Sequence, residues 1–157
     1  MQKIVPFLWF DGKAEEAANF YTAIFNDALI TDVMRHGEGG HGPKGSVLSA
    51  TFELAGQKFV ALNGGPMFKF TPAISFFVNC ETQAEVDDFW AKLSEGGQIM
   101  QCGWLTDKFG VTWQIVPIVL MQMLRDADAA KVKRVMAAML EMIKLDIAEL
   151  TRAYEGG

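Results

Sequence analysis

Few side chains in this chain could do chemistry. The histidines are His36 and His41, and the cysteines are Cys80 and Cys102. Both histidines lie in or beside the run Gly37-Glu38-Gly39-Gly40-His41-Gly42. Two readings of His41 are open: a solvated loop imidazole, or an acid or base that swings over a pocket. The same run spells a dinucleotide-binding fingerprint, but Pro43 and Gly45 follow where that motif needs a helix, so a mobile loop over a pocket is expected instead. Cys102 ends a strand with no histidine to draw off its proton and reads as an inert thiol, and Cys80 reads as structural. Gln114 is the one polar residue deep in the β-branched and aromatic run Val111–Val116. It is either a satisfied buried amide or a ligand contact. Trp104 either rims a pocket or joins the core, whereas Trp9, Trp90 and Trp113 take faces expected to meet helices. Asp107 opens the tight turn Asp107-Lys108-Phe109-Gly110 and reads as a turn residue rather than a catalyst.

Such groups need a scaffold, and the composition supplies one. The chain has 157 residues, of which 50% are hydrophobic, enough for one globular domain with a real core. A net charge of -5, with no basic cluster in the chain, argues against a nucleic-acid partner, which needs a basic face. No apolar run is long enough to span a bilayer, and Met1–Pro6 is too short and strand-like for a signal peptide. Two cysteines without a leader read as reduced thiols, which gives a cytoplasmic expectation.

Apolar periodicity orders the elements. Lys3–Phe10 predicts a strand, Ala14–Phe25 a helix, Ala28–Arg35 a strand, and Ser46–Leu54 with Gln57–Asn63 a hairpin turned at Ala55-Gly56. Gly64-Gly65-Pro66 breaks the chain, and the order begins again. Thr71–Cys80 predicts a strand, Thr82–Glu95 a helix ended by Gly96-Gly97, Gln98–Trp104 a strand, then a short strand and Val111–Val116. The segment Ala14–Tyr21 lies over Gln83–Trp90 at an offset of 69, and the same offset sets Leu8 on Phe77 and Asp11 on Cys80. The expected fold is therefore α+β, with two βαβββ modules (residues 1–66 and 67–117) and a helical extension (118–157). In the extension Asp128 caps a helix. Val132, Val135, Met136, Met139, Leu140, Ile143, Ile147 and Leu150 form one long amphipathic stripe, whose methionine-rich surface suits a second subunit, so a homodimer is expected.

The stretches Pro6–Tyr21, Leu62-Asn63-Gly64-Gly65-Pro66 and Trp104–Pro117 resemble the PhnB-like branch of the vicinal oxygen chelate superfamily, which includes glyoxalase I, bleomycin-resistance proteins and extradiol dioxygenases. Some members of that branch carry the label 3-demethylubiquinone 3-methyltransferase. No glycine-rich strand-to-helix loop that could hold a methyl donor supports that label here. The resemblance implies two curled sheets forming a cup, with metal ligands on the first and last strands of each module. The first-strand ligand positions fall on Pro6 and Ser75, or on Ile4 and Ala73 in the other register. The last-strand positions fall on Gln114, and on Ala61 or Asn63. Alternation puts Leu8 and Phe10 on the face matching Ser75 and Phe77.

None of these positions holds histidine, aspartate or glutamate, so no metal site of the family type and no cofactor is expected. The cup is expected to remain as an apolar pocket for a small molecule, with Ser75, Gln114, Asn63, Phe10, Phe77, Trp104 and His41 as candidate contacts. The function this implies is small-molecule binding in the manner of the bleomycin-resistance proteins. The alternative is a metal-dependent lyase, isomerase or dioxygenase with atypical ligands. A third reading is a scaffold subunit that works through residues 118–157.

Overall fold

A computed structural model describes residues 2–157, and the chain divides into two compact units between Phe70 and Thr71. Among the described residues no helix is long and apolar enough to cross a membrane.

In the first unit β1 (Phe7–Phe10) leads to α1 (Ala14–Ile24), then β2 (Ala28–Arg35), β3 (Val47–Leu54) and β4 (Gln57–Asn63). The sheet order is β1-β4-β3-β2, parallel between β1 and β4 and antiparallel elsewhere. Ala55 and Gly56, at φ of 49° and 82°, turn β3 into β4 in the doubly positive conformation that matches strand twist. Strand alternation gathers Leu8, Phe10, Ala50, Phe52, Phe59 and Ala61 on the face that buries α1. Alanines at 14, 17 and 18 let that helix come close, and Tyr21 stacks on Phe52, which stacks on Phe59. The strand expected from Lys3 begins only at Phe7.

The second unit repeats the order with β5 (Ser75–Cys80), α2 (Gln83–Ser94), β6 (Gln98–Ile99), β7 (Trp104–Thr106) and β8 (Thr112–Pro117), and its sheet runs β5-β8-β7-β6. The start of α2 is set by Thr82, whose hydroxyl accepts from Glu85 N–H at 3.1 Å, while the Glu85 carboxylate accepts from Glu81 N–H at 2.8 Å. Gln98–Trp104 is not one strand. Cys102 and Gly103 both sit in the left-handed region (φ 60° and 82°), and a turn separates β6 from β7.

The extension belongs to the second unit, and its single expected stripe is broken into α3 (Ile118–Leu124), α4 (Ala129–Leu140) and α5 (Ile147–Glu155). Asp128 does cap α4, accepting from Ala130 and Lys131 N–H groups. The break after Leu140 has two causes. Asp146 caps a new helix by accepting from Glu149 N–H at 3.0 Å. The carbonyls of Met142 and Ile143 accept from the N–H groups of Cys102 and Gly103, both at 2.8 Å, so the segment is tied to the β6–β7 turn instead of to itself. Gln83 adds a clamp, donating to Leu145 O and accepting from Ile147 N–H. Leu120, Met123, Val135, Leu145 and Leu150 then close one core with Val116.

Candidate functional site

In the second unit the strands sort their side chains into two faces. Cys80, Leu105, Trp113 and Ile115 are buried on the face that receives α2, which adds Val86 and Leu93. The opposite face carries Ser75 and Phe77 from β5, Trp104 and Thr106 from β7, and Thr112 and Gln114 from β8. Gln114 is level with Phe77 on one side and Trp104 on the other, and Thr112 is level with Ser75 and Thr106. The Gln114 amide donates to Ser75 Oγ at 2.8 Å. That bond leaves the Ser75 hydroxyl proton and Gln114 Oε1 for a ligand. Phe77 is 43% exposed. Thr112 is 1% exposed, and its hydroxyl finds no partner among the described residues. No side chain in this row carries a charge, so the face offers hydrogen bonds between two aromatic walls.

Thr112 was missed in the sequence, although the signal was present: it stands two residues before Gln114, on the same side of the strand. The hairpin that aims this row is built by Asp107. Asp107 Oδ1 accepts from Phe109 and Val111 N–H groups at 2.9 and 3.1 Å, and Oδ2 accepts from Trp113 Nε1–H at 2.9 Å.

Of the seven expected contacts, Ser75, Phe77, Trp104 and Gln114 therefore share one face. The other three belong to the first unit. Phe10 is a correction: it lies on the α1 face, 3% exposed, with its ring edge against Phe70. The reason is a one-residue slip. The helices repeat at 69, but the strands repeat at 70, with Phe10 and Cys80 each closing its strand, because residues 11–13 join β1 to α1 while only 81–82 join β5 to α2. One residue reverses every side chain of a strand. Phe7, not Leu8, is the counterpart of Phe77, and Trp9 faces away from α1, half-buried against Phe68 with its N–H on Gly65 O. Asn63 lies on the α1 face as well. Its Oδ1 accepts from Ala14 N–H at 2.9 Å and its amide donates to Val47 O at 3.0 Å, so it fastens the start of α1. His41 is exposed in the 36–46 loop, whose base is pinned by paired backbone bonds from His36 to Ser46 and from Gly45 to His36.

The positions where the superfamily resemblance implies metal ligands hold a serine and a glutamine bonded to each other. That neutral donor set does not fit a divalent ion. Among the described residues no three His, Cys, Asp or Glu side chains come together as a metal-binding group. Cys80 is buried, and burial, reinforced by the Glu85 charge, pushes its thiol up to about 12. We expect Ellman's reagent near pH 8 to leave Cys80 unreacted in the folded protein and to reach it in guanidinium. Rapid reaction of both thiols under native conditions would refute this. A thiol held up in the fold favours folding below its unfolded value of about 9. This contribution fades between there and about 12, so stability should fall with rising pH across that window.

The family model for 3-demethylubiquinone-9 3-methyltransferase matches residues 2–116. The PhnB protein from Bacillus cereus, which carries the same methyltransferase name, is 44% identical, with a TM-score of 0.69 over 74% of this chain and 99% of that one. A protein from Pseudomonas aeruginosa is 22% identical, with a TM-score of 0.63 over 74% of this chain and 98% of that one. A glyoxylase/bleomycin resistance protein/dioxygenase domain from Frankia is 16% identical over 72% of this chain and 96% of that one, with a TM-score of 0.47. No curated protein matches the chain. With paired βαβββ units and a family match that runs through both of them, the chain belongs to the PhnB-like family, the family that bears the name 3-demethylubiquinone-9 3-methyltransferase.

Proposed function

We propose that this protein binds a small, neutral, planar molecule against the open face of its second sheet, in the manner of the bleomycin-resistance proteins and without a resident metal. The observation that carries the reading is Gln114, set between Phe77 and Trp104 and bonded to Ser75 in the adjoining uncharged row of Ser75, Thr112 and Thr106. A ligand with adjacent oxygen atoms, one donating and one accepting, would meet Gln114 Oε1 and the Ser75 hydroxyl. The family name points to methyl transfer. Against that reading, the two strand-to-helix connections are Asp11-Gly12-Lys13 and Glu81-Thr82, too short to wrap a methyl donor. The protein is read as a homodimer of the cytoplasm, where Cys80 and Cys102 stay reduced.

The test is a thermal-shift and Trp-fluorescence screen with neutral aromatic compounds that carry adjacent hydroxyl and carbonyl groups, on protein assayed for metal as purified. For a hit, Gln114→Ala and Ser75→Ala should each weaken binding by about 10- to 100-fold, while Phe10→Leu should leave it unchanged. Hits that bind the two alanine variants as well as the parent would overturn the site. Stoichiometric metal, with a melting point that falls on chelation, would overturn the metal-free reading in favour of vicinal-oxygen chemistry at an ion.

A further inference from the structure

We infer that α4 is a contact surface for a second copy of this chain, packed antiparallel about a two-fold axis near Ala137. This rests on the homodimer in the proposed function and names the surface that makes it. The family match ends at residue 116, and 74% of this chain spans 99% of the Bacillus protein, so the extension is an addition outside the shared modules. Its inner side is fully used, with Val135, Leu145 and Leu150 at 0% exposure. Its outer side is not. Leu124, Val132, Met136, Ala137 and Leu140 line a shallow trough of about 620 Å³, and Met136 and Leu140 are 38% and 58% exposed.

What selects a second copy is the charge on either side of Ala137: Lys133 lines the trough, as Asp126 does, and Glu141 follows Leu140 just beyond it. Lys133 and Glu141 stand four residues to either side of Ala137, both exposed, and neither takes part in an ion pair among the described residues. Each is about 6 Å along the helix from Ala137. An antiparallel partner about that centre sets Lys133 level with Glu141 of the partner subunit, and the symmetry makes the pair twice. At the crossing point the residue is alanine, which lets two helices approach closely enough for Met136 and Leu140 to interdigitate.

The test is sedimentation of the full-length chain over about 1–100 µM, a range that brackets an ordinary dimer. The wild type should be a dimer. Leu140→Glu should shift it to monomer with the circular dichroism spectrum unchanged, by about 100-fold or more in Kd. Lys133→Glu and Glu141→Lys should each weaken the dimer by about tenfold, and the double exchange should restore it. These two positions are exposed, so they decide the matter even if Leu140→Glu disturbs folding. A monomeric wild type would overturn both this surface and the homodimer. A dimer that survives Leu140→Glu and the single charge changes would overturn the surface alone. Failure of the double exchange to restore what each single change lost would overturn the antiparallel pairing.

Discussion

Asp107→Ala is expected to lower the unfolding free energy by about 3–5 kcal/mol, because it strips the acceptor from three donors at once. The carboxylate is 2% exposed. It takes the N–H groups of Phe109 and Val111 on one oxygen and the indole N–H of Trp113 on the other. Trp113 is itself buried, at 3% exposure, so its N–H has no water to turn to. Asp107→Asn separates the two halves of the effect. An amide oxygen can still serve the two backbone groups, but its NH2 would face the indole N–H, and about half the loss should remain. Urea unfolding followed by tryptophan fluorescence measures both. A loss under about 1 kcal/mol for the alanine variant would show that the turn holds without its carboxylate. The functional consequence follows from position. Asp107 closes the turn between β7 and β8, the strands that carry Trp104, Thr112 and Gln114, so ligand binding should fail together with stability.

The sequence made the modules legible because their helices repeat in phase: Ala17 and Val86, then Ile24 and Leu93, are buried in both units at one offset. It misplaced Phe10 because the same offset was carried back across turns of unequal length. Nothing in the apolar pattern marks the extra residue, since Leu8, Trp9 and Phe10 are hydrophobic on either face. The second sheet escaped the error because Ser75 and Gln114 are polar in an apolar setting, and that contrast marks a face. Asn63 was legible as a special residue, but its role was not. An amide that fastens the start of α1 to the end of β4 depends on a parallel pairing that only the folded chain creates. The break in the extension was hidden for a similar reason. Ile143 and Ile147 keep helical spacing across it, while the bonds that interrupt the helix come from Cys102 and Gly103, some forty residues earlier.

Gly103→Ala tests that long-range tie. Gly103 holds φ of 82°, donates to Ile143 O and accepts from Ile115 N–H, so one residue joins the β6–β7 turn, β8 and the extension. A Cβ there would lie 2.8 Å from Leu145 Cδ1 and 2.9 Å from Ile115 O. The left-handed backbone alone costs an alanine about 1–2 kcal/mol. The contacts add to it, because Leu145 is wholly buried and cannot swing away, and the carbonyl belongs to a central strand. We expect a total of about 3 kcal/mol or more, read as a fall of about 6–12 °C in Tm. The loss should be uneven. The segment between α4 and α5 would lose its backbone anchor first, so limited proteolysis should cut near Glu141–Asp146 before it cuts either sheet. Gly37→Ala is the control, since a Cβ there meets nothing within 4 Å. If Gly103→Ala melted like that control, the extension would not depend on the turn. Its break after Leu140 would then have to come from the Asp146 cap alone, a smaller effect of about 1 kcal/mol.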